Sequence, residues 1–176
     1  VNADITTLEV DAIVNAARPS LLGGGGVDGA IHSAAGPRLL SACKLLPQVR
    51  PGVRCPTGEA RITPGFDLPA TWIIHTVGPV WTEPDGDADL LAACYANSLR
   101  LAADHAITTI AFPAISTGAY GYPMRLAAQI ATDAIRRGLS NHPSIKQVLA
   151  CCRDESTYAV YLHAINASSP HKDGSD

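Results

Sequence analysis

Four consecutive glycines, Gly23 to Gly26, run directly into Val27-Asp28-Gly29-Ala30-Ile31-His32, and this stretch constrains the chain more than any other. Glycine loses more backbone freedom on folding than any other residue, so such a run is tolerable where backbone must take positive φ or lie against a ligand. The following residues, 27–35, read as a helix with Asp28 in its first turn. A glycine loop feeding a helix N-terminus offers unpaired N–H groups and the positive end of a dipole, a cradle for phosphate. A carboxylate is stabilised at the same place, so Asp28 fits a helix-start residue as well as a site residue. On its own the stretch is compatible with an anion or nucleotide site and with a structural turn.

The same residues contain Gly24-x-Gly26-x-x-Gly29, the dinucleotide fingerprint, but its context is missing. That fingerprint follows its strand directly and is answered by an acid about 20 residues on. Here Arg18-Pro19-Ser20 separates the loop from the preceding apolar run, and 45–50 contains no acid. A nicotinamide-binding Rossmann enzyme is therefore not expected.

At 176 residues the chain suits one domain with a sizeable core, expected over 1–166 with a polar, disordered tail over 167–176. Net charge is −3, which gives no general electrostatic footprint for nucleic acid. No apolar run approaches membrane-spanning length, and the N-terminus has no basic-then-apolar signal pattern. Five cysteines without regular spacing argue against a disulfide framework, and Cys151-Cys152 on a strand would point to opposite faces and chelate poorly. The expectations are a cytoplasmic protein with no cofactor, no metal, no membrane contact and no nucleic-acid partner.

Taken in order, residues 1–5 read as part of a first strand and 10–15 as a short buried strand. Residues 38–46 read as a helix with Pro37 at its start, and 59–63 with 71–77 as a hairpin. Residues 82–87 read as an acidic turn. Leu90, Leu91, Cys94, Tyr95, Ser98, Leu99 and Ala102 then recur at helical spacing. Residues 108–113 read as a strand opening into a second glycine-bearing loop, Ser116-Thr117-Gly118-Ala119-Tyr120-Gly121-Tyr122. The helix after Pro123 shows an apolar stripe of Leu126, Ile130 and Ala134 and is expected to end at Arg136-Arg137-Gly138. Residues 146–152 read as a last strand, and Asp154 as the cap of a closing helix, 155–165, facing inward through Tyr158, Tyr161, Leu162 and Ile165. Trp72, Trp81, Tyr158 and Tyr161 read as packing residues, His32 as structural and His75 as a hydrogen-bonded core residue.

Alternating strands and helices with one hairpin predict an α/β fold, a three-layer α/β/α sandwich with a mixed, mostly parallel sheet. Ligands in such sheets lie beyond the strand C-termini, where both glycine loops should converge.

In that order Asp4-Ile5-Thr6, 10–17, the loop 23–32, Ile74-His75-Thr76-Val77-Gly78-Pro79 and 112–123 resemble a macrodomain of the MacroD type, from about Asn2 to Ile165. The resemblance implies ADP-ribose as ligand. It also implies removal of mono-ADP-ribose from acidic side chains or deacetylation of O-acetyl-ADP-ribose, with ADP-ribosylated proteins or O-acetyl-ADP-ribose as partners. By position it implies that Asp4 accepts from the adenine amino group and that Ile5 contributes a backbone N–H. Gly24, Gly25, Gly26 and Val27 would wrap the phosphates and distal ribose. Ser116, Thr117, Gly118, Ala119 and Tyr120 would close over the diphosphate. Asn15 would meet the distal ribose and join Asp28 as the catalytic pair, Asp28 orienting water.

Two positions depart from the family pattern. Arg18 stands where active members have asparagine, and arginine has no acceptor. Arg153 stands where relatives have Phe or Tyr beside adenine, although a guanidinium also stacks on a base. The resemblance thus leaves two functions, a hydrolase of ADP-ribosyl esters and a non-catalytic ADP-ribose-binding module whose turnover Arg18 impairs.

Overall fold

A computed structural model describes residues 1–82 and 84–167, with 84–86 described by their backbone alone. The elements are β1 (Ala12–Ala16), α1 (Gly26–Ala35), α2 (Pro37–Leu45), β2 (Ala60–Pro64), β3 (Trp72–Thr76), α3 (Pro84–Asp104), β4 (Thr109–Phe112), α4 (Met124–Asn141), β5 (Gln147–Ala150) and α5 (Glu155–Ala167). The strands form one five-stranded sheet in the order β2-β3-β1-β4-β5. Among the described residues β2 pairs antiparallel with β3 and the other neighbours pair in parallel, so the sheet is mixed and mostly parallel, as the alternation of elements predicts.

Alternation along the strands sorts the core into two layers. Ala12 and Val14 of β1 join Ile110 and Phe112 of β4 in a core with residues of α3, α4 and α5, such as Tyr95, Leu99, Ala131 and Tyr161. Ile13, Ile73 and Ala111 face the other way, onto Ile31 and Ala35 of α1 and Leu39 and Cys43 of α2. The chain leaves β1 over the α1–α2 face and leaves β4 over the opposite face. Their C-terminal ends therefore bound a topological switch point, where a crevice must open. The five cysteines are free and buried. Among the described residues no helix is long and apolar enough to cross a membrane.

Several local expectations are corrected. Residues 1–5 form no strand: Asn2 makes a single parallel bridge to Cys152, and the chain then tightens into a 3₁₀ turn, Ile5–Thr7. The acidic stretch is not a free turn, because α3 already begins at Pro84 and Asp87 Oδ2 accepts from Thr82 N at 3.0 Å. Helix α4 continues past Gly138 to Asn141. A Cβ on Gly138 would overlap Leu99, so this glycine lets α3 and α4 approach closely rather than capping a helix. For the same reason the buried stripe of α4 is Ala127, Ala128, Ala131 and Ala134, while Leu126 lies exposed. On α5 the buried positions are Thr157, Tyr161 and Ala164, with Leu162 and Ile165 exposed. Asp154 does cap α5, its Oδ1 accepting from Thr157 N at 2.8 Å. Ala167 is the last residue of α5, and residues 168–176 of the expected tail lie outside the described residues.

Candidate functional site

A cleft of about 570 Å³ opens at the switch point. Its floor is made by the strand ends, Ala16 and Ala17 at the end of β1, Gly78 after β3, Pro113 and Ala114 after β4 and Cys151 after β5. One wall is the N-terminus of α1. Gly25 is its N-cap and makes no side-chain cap to the first-turn N–H groups, which lie at the positive end of the helix dipole. Gly26 sits at φ +59°, a backbone that L side chains rarely adopt, and this turns the loop into the helix. Gly24 is needed for closeness instead: a Cβ there would lie 2.9 Å from Asp28 Oδ2 and 3.1 Å from Arg18 Nε.

The opposite wall is the loop between β4 and α4. Ser116 takes a left-handed backbone, φ +67°, without being glycine, and the loop holds it there. Tyr122 N donates to Ser116 O at 2.9 Å, Thr117 Oγ1 to Ala114 O at 3.0 Å and Trp81 N to Tyr120 O at 2.8 Å. A Cβ on Gly78 would overlap Ser116 Oγ, so Gly78 sets how deeply this loop seats. The buried Ser116 hydroxyl has no hydrogen-bond partner among the described residues.

Asp28 lies on the cleft wall yet is only 3% exposed. Burial of a carboxylate is tolerable where donors and a favourable dipole compensate it. Its Oδ1 accepts from Asn15 Nδ2 at 2.8 Å and lies 3.5 Å from His32 Nε2, one helical turn on. Its Oδ2 has no hydrogen-bond partner among the described residues. Asn15, fully buried at the end of β1, also holds Nδ2 3.2 Å from His75 Nδ1. His75 Nε2 lies 2.9 Å from Thr63 Oγ1. Burial, with a lesser push from His32, pulls the His75 pKa down to about 3, so its ring is neutral. The Cys43 thiol, 4.0 Å from His75 Nε2, is pushed up to about 11, chiefly by burial, and stays protonated.

The far end of the cleft is built from Asp4, Ile5, Cys152, Arg153 and Asp154. Asp4 is exposed and caps the 3₁₀ turn, its Oδ1 accepting from Thr6 Oγ1 at 2.7 Å and Thr6 N at 2.9 Å. These bonds, the Thr6 hydroxyl first and Arg153 adding slightly, hold its carboxyl below its ordinary range.

Thus Asp4, Ile5, Gly25, Gly26, Val27, Asp28, Ser116, Thr117, Gly118, Ala119, Tyr120 and Arg153 all border one cleft. Two residues expected to touch ligand do not border it. Gly24 packs between Arg18 and Asp28, and Asn15 stands behind Asp28 with its amide nitrogen committed. Gly78 and the His75–Thr63 pair were missed as site-shaping groups. The cross-strand pairing of Asn15 with His75 would have exposed the latter, had the register been known. Arg18 borders the cleft with its side chain against Gly24, beside Asp28. Among the described residues no group of three or more His, Cys, Asp or Glu is placed to hold a metal ion.

Residues 14–131, from β1 through most of the first half of α4, match the model of the Macro domain. The chain belongs to the Macro domain family. This macrodomain is 58% identical over 163 residues to a Macro domain-containing protein of Xanthomonas axonopodis pv. citri, covering 92% of this chain and 91% of that one. It is also 58% identical over 168 residues to a Klebsiella pneumoniae protein named O-acetyl-ADP-ribose deacetylase, covering 95% and 94%. Among solved structures, the Oceanobacillus iheyensis macrodomain with ADP is 47% identical, with a TM-score of 0.89 over 94% of this chain and 87% of that one.

Proposed function

We propose that this macrodomain binds ADP-ribose and hydrolyses its esters, O-acetyl-ADP-ribose and mono-ADP-ribosyl groups on Asp or Glu side chains. The observation that carries the reading is Asp28: a buried acid on the cleft wall, in the first turn of α1, with one oxygen held by Asn15 and the other unpartnered. The relatives support it, since one at 58% identity is named for the deacetylase reaction and solved neighbours hold ADP or ADP-ribose.

The diphosphate is taken by the N–H groups at the start of α1 and by the loop 116–120, without lysine. This suits a chain of net charge −3. Adenine lies toward Asp4 and Arg153, which puts the distal ribose and its ester at Asp28. There Asp28 Oδ2 orients a water for attack, and the fixed backbone donors stabilise the negative charge that develops. The products are ADP-ribose and the free carboxylic acid.

A second reading, an ADP-ribose-binding module without turnover, is favoured by Arg18. Its Nε and Asp28 Oδ2 flank the same point beside Gly24, so a permanent cation stands next to the proposed water site. Turnover of O-acetyl-ADP-ribose and of a glutamate-linked mono-ADP-ribosylated protein, measured alongside ADP-ribose calorimetry, separates the two. The expected result is binding with turnover, and weaker binding of ADP. Binding without turnover establishes the module, and no heat with millimolar ADP-ribose removes both readings.

A further inference from the structure

Behind Asp28, outside the cleft lining, lies a group of buried polar side chains that the proposed reaction does not use. Asn15 and His75 are register partners on the adjacent parallel strands β1 and β3, so both side chains leave the sheet toward α1 and α2. Thr63 of β2 is paired with Ile73, two residues from His75, and leaves the sheet on that same face. The three residues are 0%, 0% and 3% exposed. Asn15 Oδ1 is buried with no hydrogen-bond partner among the described residues, so the directions follow from the Asp28 carboxylate, which can only accept.

A carboxylate accepts, so Asn15 turns Nδ2 toward Asp28 Oδ1. The second hydrogen of that nitrogen faces His75 Nδ1 at 3.2 Å, which accepts it only when unprotonated. The ring proton then sits on Nε2 and donates to Thr63 Oγ1 at 2.9 Å. With the proton on Nδ1 instead, two N–H groups would collide. Flipping the amide would relieve that clash only by turning Asn15 Oδ1 against Asp28.

We infer that His75 is a positioning residue: as its Nε2–H tautomer it orients the Asn15 amide, and through it the Asp28 carboxylate at the reacting end of the cleft. The strongly lowered His75 pKa agrees, since the ring keeps an acceptor at any working pH. His32 and Arg18 beside Asp28, Cys43 beside His75 Nε2 and Cys55, whose Sγ donates to His75 O at 3.9 Å, are further titratable groups facing these side chains.

The tautomer is independent of the proposed function, whereas the effect on turnover rests on it, so two measurements are needed. Long-range proton–nitrogen spectra of histidine-labelled wild-type protein should show His75 with a protonated Nε2 and an unprotonated Nδ1. A protonated Nδ1 overturns the inference. Two variants then read the consequence. His75→Asn keeps an acceptor where Nδ1 stands, His75→Leu removes it, and both lose the Thr63 bond and similar volume. His75→Leu should lower kcat about 10- to 100-fold with ADP-ribose affinity nearly kept, as a small displacement of a water-orienting group does. His75→Asn should recover most of that loss at a similar melting temperature. Equal kcat in the two variants also overturns the inference. A wild-type protein without turnover would remove the hydrolase reading alone, and the spectrum still decides for or against the tautomer.

Discussion

The two ends of the cleft are built by opposite means. At the proposed reacting end Asp28 is 3% exposed, and its partner Asn15 is fully buried with Nδ2 3.2 Å from His75 Nδ1. At the other end Asp4 and Arg153 are exposed, and Asp4 is held by a neighbour two residues away. A buried polar group left without its hydrogen-bond partner costs about 1–3 kcal/mol, and more when it is charged, whereas an exposed ion pair contributes roughly 0–1. The first end therefore has one geometry, suited to placing a reacting atom. The second end tolerates exchange, and Arg153 in place of an aromatic residue is a change of that kind. Turnover should accordingly depend on the buried end, and affinity on both.

The largest effect should come from Asp28→Ala, which removes the proposed water-orienting oxygen and the nearer of the two acceptors facing Asn15 Nδ2. Turnover of O-acetyl-ADP-ribose should fall by on the order of 10²–10⁴, against a change in ADP-ribose affinity of less than about tenfold. Gly24→Ala should come next. Its Cβ would press on Asp28 Oδ2 and Arg18 Nε, at 2.9 and 3.1 Å, and the carboxylate must give way. A loss of turnover on the order of tenfold or more, with little change in melting temperature, would locate the sensitivity in placement. Unchanged kinetics would mean that the buried end is softer than its burial implies.

Arg18→Asn should raise turnover several-fold, up to about tenfold, because it replaces the cation beside Asp28 with a group that both donates and accepts. A fall in turnover would assign Arg18 to the departing carboxylate. No change would mean that its guanidinium acts only on solvent.

The smallest effects belong to the exposed end. Asp4→Asn should weaken ADP-ribose binding a few-fold with kcat unchanged, since an amide presents a donor as well as an acceptor to the adenine amino group. Its signature in pH is also defined. The folded pKa of Asp4 is lowered, so its contribution to stability is present above the unfolded carboxyl value of about 3.9 and is lost as pH falls through the lower folded value. The difference in melting temperature between wild type and Asp4→Asn should therefore shrink in that acid window and stay flat above it.

Much of this contrast was legible in the sequence. Glycine runs between strand and helix announce phosphate loops because few other residues take those backbones, and Gly26 at φ +59° is the plain case. Asp28 was legible as the acid of the loop. What stood behind it was not, because Asn15 and His75 are 60 residues apart and meet only through the β1–β3 register. Local pattern does not specify which parallel strand becomes a neighbour. The errors on α4 have a related cause. Leu126 has the hydrophobicity of a core residue, but the closeness that Gly138 allows against Leu99 selects alanines for the buried stripe. Periodicity reports which face is apolar, not how near the neighbouring helix lies.

The most direct test of the account is Asp28→Asn, followed by acetate release from O-acetyl-ADP-ribose and by ADP-ribose calorimetry on the same sample. The amide keeps the shape of the side chain and an oxygen for Asn15 Nδ2, and removes the charge proposed to orient water. The account predicts kcat lower by at least about a hundredfold with Kd for ADP-ribose within a few-fold of wild type. Turnover close to wild type, or a loss of affinity as large as the loss of turnover, would contradict it.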